Sequence, residues 1–268
     1  MKFGISVSTF PTKFGPIVFS GSDIGHNLAT IKKLGYDGVD LFIHQLSEGE
    51  LKDLQEILSS LELEVSLVAA IFLAEQGVNL SHPNPNNRVE AVAKFKRQIE
   101  TAGFLNTNMP IGFIRGNKSA DESNQSYEKR LADSLRELAD YAAKYSVELL
   151  LEPINRYEVN TILRVEEAVA FLEKHGLAAI KILPDTFHMN IEEASIEKAF
   201  GLAGEKIGHI HITDSNRLAP GQGHLNYDSI LGSIKKTGYN GYLTIEAFPV
   251  PSAYECAKQG IGYLKQKI

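Results

Sequence analysis

The feature that most constrains this chain is a regular alternation of short apolar runs with longer amphipathic stretches. Each short run has the length and residue types of a strand, and each longer stretch has the 3.6-residue periodicity of a helix. Predicted strands cover residues 3–8, 38–42, 65–70, 110–114, 148–153, 180–185, 207–213 and 242–246. Predicted helices cover residues 23–34, 48–60, 88–103, 127–145, 165–175, 196–202, 228–237 and 253–267. Eight strand–helix units in 268 residues predict an α/β protein, a (β/α)₈ TIM barrel that occupies residues 1–268 as a single domain.

Two connections exceed what such a barrel needs, residues 74–87 after the third strand and residues 115–126 after the fourth. Both follow the carboxyl ends of strands, where barrels of this kind build their active sites. They are candidate walls or lids of a pocket, and tolerated surface insertions are the alternative.

Composition narrows the functional class. The formal net charge of −6 gives no general attraction to nucleic acid or to anionic membranes, so neither is an expected partner. A single cysteine, Cys256, excludes an intrachain disulfide framework and a cysteine-rich zinc site, and suits a reducing compartment. No apolar run approaches the length of a membrane helix, and the N-terminus reads as a first strand rather than a signal peptide. A cytoplasmic location is expected.

Strands five to eight each finish at or beside a side chain that can bind a metal. These are Glu152, Asp185, His211 and Glu246. Neighbouring strands of a barrel lie about 4.8 Å apart, so four side chains at one rim can converge on a point. Three carboxylates would repel one another there, whereas a divalent cation would neutralise most of their charge. The pattern therefore predicts one divalent metal ion, although each residue alone is more often an ordinary strand end.

The ligand types indicate which metal to expect. Three carboxylates and one imidazole suit a hard or borderline ion better than structural zinc. Mn²⁺ is the first expectation, with Co²⁺ or Mg²⁺ as alternatives. Six-coordination would leave about two positions for water or for adjacent substrate oxygens, which fits a polyol or a hydroxy-ketone. His209 has the same strand parity as His211 but sits deeper, where it could support the site or belong to the core.

The segments around these residues resemble the xylose-isomerase-like barrel superfamily, and within it the ketose 3-epimerase branch of tagatose and psicose 3-epimerases. The resemblance rests on residues 152–158, 185–193, 211–217 and Glu246. With residues 219–224 and 81–84, these segments are most similar to 5-keto-L-gluconate epimerases. The pocket tryptophan typical of ketose epimerases has no counterpart, because this chain contains no Trp.

The resemblance implies a role for each matching position. Glu152, Asp185, His211 and Glu246 would bind the metal, with Glu152 and Glu246 also acting as catalytic acid and base. Glu158, His188 and Arg217 would contact the substrate, a keto-sugar or keto-sugar acid. The implied reaction removes a proton beside the ketone and returns one to the opposite face, through a metal-bound enediolate. A homo-oligomer is compatible with the apolar residues on the outer helices.

Three alternatives remain open from the sequence. An aldose–ketose or keto-inositol isomerase would use the same site but return the proton to another carbon. A phosphodiesterase resembling the trinuclear-zinc endonucleases would recruit further ligands such as His82, His188 and His224, which the acidic chain disfavours. A non-enzymatic sugar-binding protein would not need the intact pair Glu152 and Glu246.

Overall fold

Eight parallel strands close into a barrel in the structure, a computed structural model that describes residues 1–11 and 15–268. The strands are β1 Lys2–Ser8, β2 Gly38–Phe42, β3 Glu64–Ala69, β4 Met109–Ile111, β5 Leu149–Leu151, β6 Lys181–Ile182, β7 Ile210–His211 and β8 Tyr242–Ile245. All eight predicted strands are present, and β4 to β7 are shorter than predicted. The predicted (β/α)₈ fold is confirmed.

Two continuous ladders and a few single bridges close the circle. One ladder runs β3-β2-β1-β8-β7 and the other β4-β5-β6. A parallel bridge from Leu67 to Asn108 joins β3 to the start of β4, and bridges from Ile182 to Ile207 and from Asp185 to His211 join β6 to β7. Neighbours around the barrel are therefore neighbours in sequence, and every strand carries its carboxyl end to the same rim.

Helices surround this barrel. Within the described residues they are α1 Ile24–Leu34, α2 Glu48–Ser60, α3 Ile71–Glu75, α4 Pro85–Phe104, α5 Asn124–Ala142, α6 Val165–Lys174, α7 Thr186–Glu192, α8 Ile196–Ala203, α9 Tyr227–Lys236 and α10 Ala253–Lys265. The sequence missed α3 and α7, which have five and seven residues, because so short a helix shows too few turns to reveal periodicity. No helix in the described part of the chain is long and apolar enough to cross a membrane.

The barrel wall is apolar on the face towards the helices and carries a polar group on its inner face. Strand β2 is buried along its full length, and Val39 and Leu41, completely covered, belong to the hydrophobic core shared with the helices. Between them Asp40 is also fully buried. Asp40 accepts hydrogen bonds from Ser66 of β3 at 2.5 Å and from Thr244 of β8 at 3.1 Å. A carboxylate thus lies inside the barrel with partners on several strands.

Gly4 of β1 makes room for these partners. A Cβ atom at this position would overlap the Thr244 hydroxyl and lie 3.2 Å from the Ser66 hydroxyl. We expect Gly4→Val to lower the free energy of unfolding by about 1–3 kcal/mol, the usual cost of overpacking a core. Gly232→Ala is the matched control, because nothing lies within 4 Å of a Cβ there and alanine favours the α9 helix. Chemical denaturation measures both, and a Gly4→Val protein as stable as wild type would contradict the close packing.

Candidate functional site

The four side chains predicted to bind a metal lie at the carboxyl rim of the barrel. Glu152, Asp185 and His211 present ligand atoms that all lie within 4.8 Å of one another. The fourth, Glu246, brings Oε2 to 3.4 Å from His211 Nδ1. The structure therefore brings together the set that the sequence singled out.

His211 is fixed from below by Asp40. The Nε2 atom of His211 lies 3.0 Å from Asp40 Oδ2, and His209 Nε2 lies 3.0 Å from the same oxygen. A carboxylate accepts, so each ring carries its hydrogen on Nε2. Burial opposes ionisation of Asp40, but the charge and hydrogen bonds of the two histidines outweigh it and hold the pKa of this carboxyl well below its usual range. His209 therefore supports the site from the barrel interior.

The other ring nitrogen, His211 Nδ1, is consequently directed at the rim. This buried atom has no hydrogen-bond partner among the described residues. It lies 3.6 Å from Glu152 Oε1, 3.4 Å from Glu246 Oε2 and 3.8 Å from Asp185 Oδ2, distances too long for good hydrogen bonds. Burial lowers the pKa of His211, but the negative charge of Glu246 and the Asp40 hydrogen bond raise it well above its usual value. The carboxylates around Nδ1 therefore stabilise a positive charge, and a divalent cation that replaced the Nδ1 proton would have this nitrogen and the carboxylate oxygens as ligands.

Glu152 is positioned by the end of β5 and by a buried arginine. Its backbone N–H donates to Ile111 of β4, and Arg115 Nη1 donates to its carbonyl at 2.6 Å. Arg115 is fully buried and binds backbone carbonyls of residues 161 and 162 with its other terminal nitrogen. Gly112 lets the side chain pass, because a Cβ there would lie 2.8 Å from Glu152 Oε2. Sequence reasoning did not single out Arg115 or Gly112.

Asp185 has two structural partners as well as its place in the cluster. Its Oδ1 accepts from the Phe187 backbone N–H at 2.8 Å and so caps α7, and its Oδ2 accepts from Arg217 Nη1 at 2.6 Å. Burial opposes ionisation of this completely covered carboxyl, but the charges of Arg217 and His188 lower its pKa below the usual value. Asp185 is therefore held as an anion with both oxygens engaged.

Arg217 bridges two of the predicted ligands. Its second terminal nitrogen, Nη2, donates to Glu246 Oε2, and its guanidinium stacks over the Phe187 ring at 4.8 Å. A backbone φ of 61° places Arg217 in the left-handed region, which costs a non-glycine residue about 1 kcal/mol or more. The turn is maintained by Asp214, whose side chain accepts from three backbone N–H groups of its loop. With His211 neutral, as a metal ligand is, the three carboxylates and one guanidinium leave two negative charges, which match one divalent cation.

A cavity of about 370 Å³ opens over this cluster. Its polar side consists of Glu152, Glu158, His188, His211, Arg217 and Glu246. Its apolar side includes Phe42, Ile71, Phe113, Ile114, Phe187 and Phe248. The three predicted substrate contacts, Glu158, His188 and Arg217, thus all line one cavity, and their contact with substrate remains a prediction. Phenylalanines line this pocket, in a chain that has no tryptophan.

The two long connections contribute little to this cavity. Of residues 74–87 only Ala74 lines it, and no residue of 115–126 is among its described lining. The short elements that precede each connection form the wall instead, through Ile71 of α3 and the turn 113–115. The predicted position of the walls was therefore a few residues too late along the chain.

The chain is similar to known proteins over nearly its whole length. Residues 28–267 match the xylose isomerase-like TIM barrel family. This chain belongs to that family. It is 29% identical over 257 residues to the D-psicose 3-epimerase of Agrobacterium fabrum strain C58, a match that covers 92% of this chain and 85% of that protein. It is 34% identical over 118 residues to the 3-dehydro-D-guloside 4-epimerase of Escherichia coli K12, covering 44% of this chain and 45% of that one.

Several solved structures have the same fold as this chain. An L-ribulose 3-epimerase gives a TM-score of 0.83 at 23% identity, covering 99% of this chain and 94% of that one. A D-psicose 3-epimerase crystallised in the presence of D-fructose gives 0.82 at 21% identity, covering 99% of each chain. The resemblance expected from the sequence, to this superfamily and its ketose 3-epimerase branch, is confirmed.

The first site prediction concerns Asp40, a residue that sequence reasoning missed. We expect Asp40→Ala to weaken Mn²⁺ binding by about 10- to 100-fold, the usual effect of removing the partner that orients a metal-binding histidine. Asp40→Asn, which keeps one acceptor oxygen, should fall between Asp40→Ala and wild type. Isothermal titration with Mn²⁺ gives the affinities.

Asp37→Asn is the control for this series. Asp37 accepts from the Phe3 backbone N–H at the opposite end of the barrel, so this variant should bind Mn²⁺ like wild type. Wild-type affinity in folded Asp40→Ala protein would show that Asp40 does not orient His211.

Proposed function

We propose that this chain is a divalent-metal-dependent epimerase of a small keto-sugar or keto-sugar acid. One observation carries the proposal: Glu152 and Glu246 line the same cavity and approach His211 Nδ1, at 3.6 and 3.4 Å, from strands three places apart around the barrel. Epimerisation needs an acid and a base on two sides of one carbon, and two carboxylates so placed can supply both. The epimerases among the relatives support the same reaction class.

The three carboxylates have different roles in this proposal. Glu152 and Glu246 are each 8% exposed, on the cavity side. Asp185 is completely covered, and its oxygens already accept from Phe187 and Arg217. Proton transfer requires direct reach to the substrate, so it falls to the two glutamates, and Asp185 acts as a ligand alone.

Bound at Glu152, Asp185, His211 and Glu246, a divalent cation would act as a Lewis acid that polarises the ketone and acidifies the neighbouring C–H. One glutamate removes this proton from the hydroxyl-bearing carbon and leaves an enediolate of the substrate. The other glutamate returns a proton to the opposite face and inverts that carbon. Arg217 donates to the carboxylates of both Asp185 and Glu246. It therefore fixes the positions of these two groups relative to each other during both proton transfers.

The apolar side of the cavity protects this chemistry from water. Phe113, Phe187 and Phe248 line it, and Phe187 packs against the Arg217 guanidinium. Excluding water strengthens the electrostatic interactions inside the site and keeps a reactive intermediate from side reactions. A small sugar fits the volume of about 370 Å³, which lies near the lower end of the range for small-molecule pockets.

An aldose–ketose isomerase is the second candidate function. The chain is 27% identical over 222 residues to the hydroxypyruvate isomerase of Escherichia coli K12, covering 80% of this chain and 84% of that one. Isomerisation would begin with the same proton removal but return the proton to the former carbonyl carbon. Two glutamates at separate places in the cavity favour epimerisation, because isomerisation can be completed by one base on one face.

The structure does not support the trinuclear phosphodiesterase alternative. Among the described residues, His82, His188 and His224 belong to none of the side-chain groups that could hold a metal. His82 instead accepts from the Asn84 backbone N–H, and His224 Nδ1 contacts the Ser215 hydroxyl. A site with three ions therefore lacks its additional ligands.

Metal dependence is the first functional prediction. We expect one divalent ion per chain, loss of ketose epimerase activity on chelation, and the best recovery with Mn²⁺ or Co²⁺, because the site leaves two negative charges uncompensated. Elemental analysis gives the stoichiometry, and activity is assayed with ketohexoses, ketopentoses and hexuronate-type keto-acids. A fully active preparation free of divalent ions would refute this prediction.

The second functional prediction separates the two glutamates. Glu152→Gln and Glu246→Gln should each lower kcat by roughly 100- to 10,000-fold, the usual worth of a positioned acid or base. The reaction is run in D₂O with NMR detection, and wild type should place one solvent deuteron on the inverted carbon. Glu56→Gln, an exposed position on α2, is the control and should behave like wild type. Near-normal turnover in either site variant would eliminate the two-carboxylate mechanism.

A further inference from the structure

Asn155, in the loop that follows β5, contacts two predicted substrate-binding residues with one atom. The side chain is 1% exposed. Its Nδ2 lies 2.8 Å from Glu158 Oε1 and 2.8 Å from His188 Nδ1. Glu158 lies in the loop after β5 and His188 on α7, and both line the cavity. A single buried amide therefore fixes the positions of the Glu158 and His188 side chains relative to each other.

The orientation of this amide is fixed by its partners. The Tyr157 backbone N–H, which can only donate, lies 3.0 Å from Asn155 Oδ1, so the atom there must be the oxygen. The Glu158 carboxylate, which accepts, faces the other atom, so that atom must be the NH₂ nitrogen. Both constraints agree, and the two amide hydrogens are directed at Glu158 and at His188.

The amide in turn fixes the His188 tautomer. A hydrogen on His188 Nδ1 would place two donors 2.8 Å apart, so Nδ1 accepts and the ring hydrogen sits on Nε2. The ring is 4% exposed and packs edge-on against Phe187 at 5.6 Å between ring centroids. Its Nε2 lies 3.9 Å from Asp185 Oδ2, beside the cluster of predicted ligands. His188 thus offers a donor at the polar side of the cavity.

We propose that Asn155 is a positioning residue that holds His188 as a hydrogen-bond donor and Glu158 as an acceptor for two oxygens of the substrate. The inference rests on the proposed function, since it takes the cavity to bind a keto-sugar. An oxygen that accepts from His188 Nε2 and a hydroxyl that donates to Glu158 fit this pair. A substrate carboxylate has no hydrogen to donate to Glu158 and would be repelled by it. This corner of the cavity therefore recognises the neutral hydroxyl-ketone part of the sugar.

The test is Asn155→Asp, which keeps the size of the side chain but replaces the donor by an acceptor. The carboxylate should draw the His188 hydrogen to Nδ1 and repel Glu158. We expect ¹⁵N NMR of histidine-labelled protein to show His188 with its hydrogen on Nε2 in wild type and on Nδ1 in the variant. The His188→Gln spectrum assigns the signal by its absence.

Kinetics supply the second readout. The pair binds substrate before and during the reaction, so Asn155→Asp should raise KM of the best ketose by about 10- to 150-fold while kcat changes little. Asn160→Asp is the matched control, because among the described residues that side-chain amide binds only the backbone N–H and carbonyl of Lys118, and this variant should retain the wild-type KM and His188 signal.

Each outcome decides the proposal. A wild-type His188 that carries its hydrogen on Nδ1 would overturn it without any variant, even if Asn155→Asp fails to fold. An unchanged His188 signal in folded Asn155→Asp protein, or a loss confined to kcat, would also overturn it. Both proteins could show the expected tautomers while the wild type is inactive on every ketose. That result would refute the proposed function and the substrate part of this inference, but the hydrogen bond from Asn155 to His188 would stand.

Discussion

The hydrogen bond between Asp40 and His211 connects the barrel to its candidate site. Asp40 lies on β2 and His211 on β7, so this contact crosses the barrel interior. It leaves Nδ1 of the imidazole aimed at three carboxylates, which stabilise a positive charge there, either a proton on Nδ1 or a divalent cation in its place. Asp40 is in turn held by Ser66 and Thr244, next to Gly4, whose missing side chain gives them space. Packing in the barrel thereby determines the chemistry at its rim.

The sequence predicted the architecture and the four convergent side chains because both depend on simple periodicities. Strand ends can be recognised from apolar runs, and parallel strands carry their ends to one rim, so Glu152, Asp185, His211 and Glu246 could be grouped from the sequence alone. Asp40 was not predicted as part of the site, because it lies in the middle of an apolar strand and its partners come from three other strands. An inward parity in a fully buried strand was the only signal that could have identified it.

Arg217 shows a second limit of sequence reasoning. The resemblance implied that Arg217 contacts the substrate, and in the structure its terminal nitrogens bind the carboxylates of Asp185 and Glu246. Which carboxylate an arginine binds depends on a left-handed turn at its own backbone and on the loop that Asp214 organises. Neither is visible from residue types alone. The role of Arg115 could not be predicted either, because it binds backbone carbonyl groups, which every residue has and no residue type reveals.

The strand pairing between β6 and β7 has a mechanical consequence. In the described part of the chain, the backbone pairing of these two-residue strands consists of single bridges from Ile182 to Ile207 and from Asp185 to His211, so this is a sparsely paired seam in the barrel wall. The Thr186 hydroxyl adds two hydrogen bonds with the Thr213 backbone at its rim end. Two of the proposed metal ligands face each other across it. A cation held by both would fasten the seam in place of the missing ladder, so that releasing the ion and opening the wall become one event. The bound ion would then stabilise the barrel wall as well as the site.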